Sequence, residues 1–292
     1  MVKDKKFYLQ GKDLEHEVLT GKDTIRFEWN MLYSCNYRCK YCFFEGKWDE
    51  YGKRTVYRTP DEWYDIWKRI YELYGRVSLV ITGGEPFTYP DFVDVINSIS
   101  SLHYPVNIST NGSGDMREFA QKLDPARVTL TLALHPEFNS LPGIIDKLKY
   151  LKKEGFSSDY INFCAYPPYL ERLEEYLDTV NAAGEKLKVI PFCGEYMGAR
   201  YPDGYSDEEK GMLGIDKQWE ENVRKTGQMC AAGFRSALIF PDGKVARCGQ
   251  IGERHLIGNI FDSNFVLLDK PIPCDTDRCP CLESFQTGEE EC

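Results

Sequence analysis

Three cysteines fall within the stretch Cys35-Asn36-Tyr37-Arg38-Cys39-Lys40-Tyr41-Cys42, in the order C-x3-C-x2-C. A disulfide joins two sulfurs, and a closed tetrahedral zinc site takes four ligands. A four-iron cubane takes one outer ligand on each iron, usually a thiolate. Three thiolates from one short loop therefore leave one iron open, and an open metal position is where chemistry can occur. The competing reading is a structural zinc knuckle. It needs a fourth ligand close by, and no His or Cys follows the loop closely.

The chain holds 11 cysteines in 292 residues. Cys230, Cys248, Cys274, Cys279 and Cys281 form a second, C-terminal group. Cys164, Cys193 and Cys292 stand alone. The count is odd and the cysteines are clustered, which suits metal in a reducing compartment better than a disulfide framework. Four thiolates in the second group suit a tetrahedral zinc ribbon as well as a cubane.

Net charge is -10, from 46 acidic and 36 basic residues. Nucleic-acid binding rests on Lys and Arg neutralising phosphates, so no nucleic-acid partner is expected. No apolar run approaches the ~20 residues of a membrane span, and the N-terminus lacks the apolar core of a signal peptide. A cytoplasmic location without a membrane partner is expected. Composition is ordinary for a globular chain, with 42% hydrophobic and 28% charged residues. Folding would bury roughly 75% of the unfolded surface, enough for one large unit and a small one.

These residues need a scaffold, and the chain repeats a β-rich run followed by a helical one from residue 24 to 193. The strand candidates are Ile25–Tyr33, Val77–Thr82, Val106–Thr110, Val128–Leu134, Tyr160–Tyr166 and Leu187–Phe192. Between the first two, Trp63, Ile66, Trp67, Ile70 and Leu73 recur at helical spacing. Thr59 and Glu62 make a capping box with Pro60 at the first helical position, worth about 1 kcal/mol. Gly75 is the stop signal. Leu170, Leu173, Leu177 and Val180 mark the buried stripe of a later helix. Alternating strands and helices predict parallel βα units, hence an α/β partial (β/α)6 TIM-like barrel. Its functional face is the C-terminal end of the strands, where the three-cysteine loop follows the first strand. Residues 1–23 read as an N-terminal extension and 194–229 as a connector with a short helix beginning near Ser206. Residues 230–292 read as a small C-terminal α+β unit with a hairpin about Pro241-Asp242-Gly243.

C-x3-C-x2-C with Tyr41 before its third cysteine, in a loop after the first strand, resembles the radical S-adenosylmethionine (SAM) superfamily. Thr82-Gly83-Gly84-Glu85-Pro86 at the end of the second strand is similar to that family's GGEP motif. The resemblance covers about residues 24–193. It implies that Cys35, Cys39 and Cys42 hold a [4Fe-4S] cluster and that SAM chelates the open iron. It implies SAM contacts from Tyr41, Gly83, Gly84, Glu85 and Pro86, and from Ser109 and Asn111 after the third strand. His135, after the fourth, falls where the family varies. An electron from the cluster would split SAM to methionine and a 5′-deoxyadenosyl radical, which abstracts hydrogen from a substrate carbon. The residue chemistry agrees, since glycines allow close backbone approach and a carboxylate suits an ammonium.

The C-terminal group resembles the SPASM extension of that family, and its compressed later spacing fits the shorter twitch relative better. This implies one auxiliary [4Fe-4S] cluster on Cys230, Cys248 and two of Cys274, Cys279 and Cys281, with a second auxiliary cluster as a further option. The resemblance implies an oxidoreductase that makes a cross-link or dehydrogenates a ribosomally made peptide, with an electron donor such as ferredoxin or flavodoxin. One alternative is a peptide epimerase in which Cys193 or Cys164, near the ends of the last two barrel strands, gives hydrogen to the substrate radical. Cys193, in a Gly-flanked loop, is the better placed of the two. Another is a dehydrogenase of a small alcohol or sugar. The alternative from another class is a zinc-stabilised binding protein without redox chemistry.

Overall fold

The computed structural model describes residues 24–215, 226–249 and 252–276. The first barrel strand is β1 (Arg26–Leu32), followed by the short α1 (Trp48–Gly52) and then α2 (Pro60–Tyr74). The repeat continues through β2 (Ser78–Gly83), α3 (Phe92–Ser100), β3 (Val106–Thr110) and α4 (Met116–Lys122). It ends with β4 (Val128–Leu134), α5 (Leu141–Lys153), β5 (Ile161–Ala165), α6 (Leu173–Ala182) and β6 (Leu187–Pro191). Strands β1 to β6 are parallel neighbours in chain order, the partial (β/α)6 barrel that the alternation predicts.

Local sequence explains the elements. Thr59 and Glu62 form both halves of the capping box of α2, with Glu62 N–H on Thr59 Oγ1 at 3.3 Å and Thr59 N–H on Glu62 Oε2 at 2.8 Å. Period-two burial along β1 sends Phe27 and Trp29 to the helical layer, where Trp29 meets Trp63 at 4.4 Å and Phe27 meets Trp67 at 5.8 Å. Leu73 departs from the expected stripe and is 46% exposed. In that last turn Tyr74 takes the inner position instead, its hydroxyl accepting from Leu267 N–H at 2.7 Å. One core lies between β1–β4 and α2–α4, and a second lies between β4–β6 and α5–α6.

Beyond the barrel come the hairpin strands β7 (Gly194–Tyr196) and β8 (Ala199–Tyr201), then α7 (Asp207–Leu213), opened by the Ser206–Glu209 capping box. The C-terminal strands are β9 (Met229–Cys230), β10 (Ser236–Ile239), β11 (Lys244–Ala246), β12 (Leu256–Asn259) and β13 (Ile272–Pro273). The expected hairpin about Gly243 joins β10 to β11, and Gly243 sits at φ 80°, where a side chain would strain the turn. This hairpin continues the barrel sheet. Strand β10 pairs in parallel with β1, and β11 and β12 extend the edge, giving the order β12-β11-β10-β1-β2-β3-β4-β5-β6. Among the described residues, no helix is long and apolar enough to cross a membrane.

Candidate active site

The three-cysteine loop leaves β1 and curls over the C-terminal ends of β2, β3 and β4. Its start is held by backbone pairing with the end of β2. Gly84 N–H donates to Leu32 O at 2.8 Å and Glu85 N–H to Ser34 O at 2.9 Å. A Cβ on Gly84 would lie 1.9 Å from Ser34 O, and one on Gly83 2.2 Å from Leu32 O. The two glycines therefore let the second strand end lie against the cysteine loop itself.

Glu85 is 1% exposed. Its Oε1 accepts from Thr110 Oγ1 at 2.7 Å and Phe87 N–H at 3.1 Å, and its Oε2 from Asn111 N–H at 2.7 Å. Burial raises its pKa, and those three donors oppose the rise. The carboxylate thus ties β2 to β3 and fixes the orientation of Asn111. Pro86, also buried, opens the 3₁₀ turn Pro86–Thr88 that follows.

Asn111 reaches back to the loop. Its Nδ2 donates to Asn36 Oδ1 at 2.9 Å and points at Cys35 Sγ from 4.0 Å. Asn36 in turn donates to Ser113 Oγ at 2.9 Å. Ser109 sits on β3 with intermediate burial, on the same side of the strand as Asn107. From β4, His135 Nδ1 lies 2.6 Å from Tyr41 Oη and 3.5 Å from Cys39 Sγ. The Tyr41 and His135 rings are stacked, with 11° between their planes. Burial alone lowers the His135 pKa to about 4. Asn139 escaped the sequence reading. Its side chain accepts from His135 N–H at 2.8 Å and donates to Asn111 O and Ala133 O, both at 3.0 Å. The signal that could have found it is an Asn five residues past a strand end, free to cap backbone groups.

The loop fits an iron–sulfur cubane by its donor chemistry. Tyr37 N–H meets Cys35 Sγ at 3.3 Å, Phe44 N–H meets Cys42 Sγ at 3.4 Å, and the Tyr41 hydroxyl faces Cys39. Each sulfur thus has a donor that would favour its thiolate. Without metal, burial pushes Cys39 up to about 12, with Cys42 and Cys35 adding to the rise. Burial is also the chief cause of the raised pKa of Cys35 and Cys42. The thiols therefore sit in one another's field, and metal binding would release their protons. Among the described residues, no three His, Cys, Asp or Glu side chains close round a single ion. A cubane does not ask for that, because each thiolate takes its own iron.

Cys164 lies on β5, half-buried. Burial pushes it up to about 12, and Cys193, Cys39 and Cys42 are all within electrostatic reach. Cys193 is exposed, with its thiol toward its own Pro191 carbonyl at 3.9 Å. Tyr205 joins the two strand ends, accepting from Phe192 N–H at 2.8 Å and donating to Ala165 O at 2.7 Å. Around them Tyr41, Tyr166, Tyr169 and Tyr196 form an aromatic rim.

In the C-terminal group, β9 pairs with β13, setting Cys230 opposite Ile272. The next ladder bonds run from Cys274 N–H to Gln228 O at 2.8 Å and from Gly227 N–H to Cys274 O at 2.7 Å. Cys248 follows Arg247, and Arg247 donates to the carbonyls of Cys230, Ile272 and Pro273. One buried guanidinium thus ties the backbone of Cys230 to that of Pro273, next to Cys274, from the residue before Cys248. Cys279 and Cys281, like Cys292, lie outside the described residues.

A model of the radical SAM superfamily matches residues 29–200. The probable GTP 3′,8-cyclase of Methanococcus maripaludis (strain C5) is 28% identical over 184 residues, covering 59% of this chain and 60% of that protein. The chain thus matches three-fifths of that relative's length. The antilisterial bacteriocin subtilosin biosynthesis protein AlbA of Bacillus subtilis is 19% identical over 334 residues, covering 96% of this chain and 72% of AlbA. Among solved structures, Streptococcus suis SuiB bound to precursor peptide SuiA superposes with a TM-score of 0.60 at 15% identity, covering 82% of this chain and 63% of SuiB. That last likeness is one of fold.

Proposed function

This chain belongs to the radical SAM superfamily, whose members use a [4Fe-4S] cluster and SAM, and on that premise we propose that it oxidatively modifies a ribosomally made peptide. The observation that carries the proposal is the second cysteine group. Arg247, just before Cys248, ties the backbone at Cys230 to that beside Cys274, in a segment whose hairpin strand β10 pairs with the first barrel strand. An iron–sulfur centre there, completed by Cys279 or Cys281, would accept one electron from a substrate radical as that radical loses a proton, which would make the net reaction an oxidation. What supports a peptide substrate is the likeness to a bacteriocin biosynthesis protein and to SuiB, solved with its precursor peptide.

In this reading Cys35, Cys39 and Cys42 hold the SAM cluster, which when bound supplies the electron that cleaves SAM. Glu85, a SAM contact in this reading, also holds Thr110 and Asn111 in place. Asn111 and His135 steady Cys35 and Cys39 from β3 and β4. Gly83, Gly84 and Pro86 set the height of the loop, and Ser109 and Tyr41 line the space it covers. The barrel at 24–193 and the cysteine-bearing segment at 230–292 act as one device. A low-potential donor of the ferredoxin or flavodoxin class reduces it.

The test is to reconstitute the full chain anaerobically and incubate it with SAM, reductant and the peptide encoded beside it. Product lighter by two hydrogens, with 5′-deoxyadenosine released, is expected. Product of unchanged mass in ordinary water that gains one deuterium in heavy water overturns oxidation in favour of epimerisation. That second reading would draw on Cys164, a partly buried thiol on β5.

A further inference from the structure

Arg247 is among the largest fully buried side chains of the protein, at 1% exposure. Its Nε donates to Ala232 O at 2.8 Å, its Nη1 to Pro273 O at 2.7 Å, and its Nη2 to Ile272 O at 2.6 Å and Cys230 O at 3.4 Å. All four acceptors are neutral carbonyls. Among the described residues, the one carboxylate near it is Asp275, with Oδ1 3.9 Å from Nη1. That side chain is 58% exposed and also faces His255 Nδ1 at 3.8 Å. A guanidinium cannot shed its proton, and a buried charge is costly unless an anion meets it. Carbonyl dipoles satisfy the donors and leave the charge itself nearly uncompensated.

Backbone at or next to three cysteines meets this charge. Cys248 is the next residue, Cys230 offers its carbonyl to Nη2, and Cys274 follows Pro273, whose carbonyl takes Nη1. As thiols they add no charge. As thiolates on a metal centre they carry a net negative one. We propose that Arg247 is the positioning residue and counter-charge of the metal centre on Cys230, Cys248 and Cys274. This deepens the reading of that group as an auxiliary cluster and rests on it. The consequence is electronic. A buried cation beside a cluster stabilises its more negative, reduced state and raises its reduction potential. An electron acceptor for a substrate radical needs that shift.

The experiment uses the reconstituted full chain and two readouts, the midpoint of the auxiliary cluster in an EPR-monitored redox titration and the melting temperature with and without metal. Arg247→Lys keeps the charge, so its midpoint is expected near wild type. Arg247→Met is expected to shift the midpoint negative. After chelation the Met variant is expected to melt at or above wild type, since the orphaned charge is gone, whereas loaded it melts below. Asp275→Asn, at a half-exposed position, guards against misfolding of the buried variants. It is expected to lower the melting point of the stripped protein and to leave the loaded protein unchanged, because only the stripped protein lacks another anion. An unshifted midpoint in Arg247→Met, or equal losses of stability with and without metal in both variants, overturns the inference and reduces Arg247 to a carbonyl tie. Metal analysis separates the two levels. Wild-type protein with iron for one cluster and no other metal removes the auxiliary centre altogether. Zinc in its place removes the iron–sulfur reading, and the stability pattern then still decides whether Arg247 is the counter-charge.

Discussion

Tyr41 Oη lies 2.6 Å from His135 Nδ1, so the residue before the third loop cysteine is bonded to the residue after β4. This contact is what the loop has in place of a fourth protein ligand. It presses an aromatic side chain and an imidazole against Cys39 while leaving the coordination trio at three. Tyr41→Phe keeps the stacking and removes the hydroxyl. A buried hydrogen-bonding group left unmade costs about 1–3 kcal/mol. The variant is expected to melt several degrees lower in differential scanning calorimetry and to lose iron faster to a chelator. An unchanged melting point and chelation rate would contradict this role.

Gly84→Ala tests the packing of the GGEP turn against the cysteine loop. The added methyl meets Ser34 O at 1.9 Å, a backbone atom that has nowhere to go without moving the loop. Overpacking of this kind costs typically 1–3 kcal/mol, occasionally more. Iron uptake at Cys35, Cys39 and Cys42 should fall along with stability, because Ser34 immediately precedes Cys35. An Ala variant that retains wild-type iron and melting behaviour would show that the contact is slack.

The pH dependence of stability carries a signature of His103. Its Nε2–H donates to Trp67 O at 2.9 Å and its Nδ1 accepts from Val77 N–H at 3.2 Å, so both nitrogens are committed to the neutral form. Desolvation lowers its pKa below the ordinary 6.5. The unfolded chain therefore binds this proton first. The stability His103 confers is complete above pH 6.5 and is lost as pH falls towards the lowered folded value. Urea titrations from pH 7.5 to pH 5 should lose stability towards acid with a slope of up to about 1.4 kcal/mol per pH unit from this group. His103→Gln should flatten that slope. An identical slope in the variant would place the acid sensitivity elsewhere.

The barrel was legible in the sequence because its strands are short apolar runs with turn residues on both sides, and its helices show both caps and stripes. Val106–Thr110 and Val128–Leu134 were read to the residue, and the Thr59–Glu62 and Ser206–Glu209 boxes are both made. What could not be read is what only the fold brings together. Nothing local says that Glu85 is satisfied by Thr110 and Asn111, which lie in the following βα unit. Nothing local says that β10 pairs with β1, 210 positions apart in the register Arg26 with Ser236. Arg247 was passed over because a lone arginine between Ala246 and Cys248 looks like surface. Its burial depends on β9 and β13 closing over it.

Cys164→Ser separates oxidation from epimerisation. A hydrogen-donor role for Cys164 would make the serine variant release an unquenched, oxidised or cleaved peptide. With oxidation as the reaction, the serine variant is expected to give the same product, lighter by two hydrogens, within about threefold of the wild-type rate, a barrier change of roughly 0.7 kcal/mol. Loss of an epimerised product on this substitution would contradict the oxidative account.

The most direct measurement compares wild type with the Cys35→Ala, Cys39→Ala, Cys42→Ala variant, both reconstituted anaerobically and mixed with SAM and dithionite. The account predicts that 5′-deoxyadenosine release disappears and that iron falls by about four per chain, with the C-terminal centre retained. Release that persists in the triple variant would contradict it, since the open iron on those three sulfurs would then not be where SAM is cleaved.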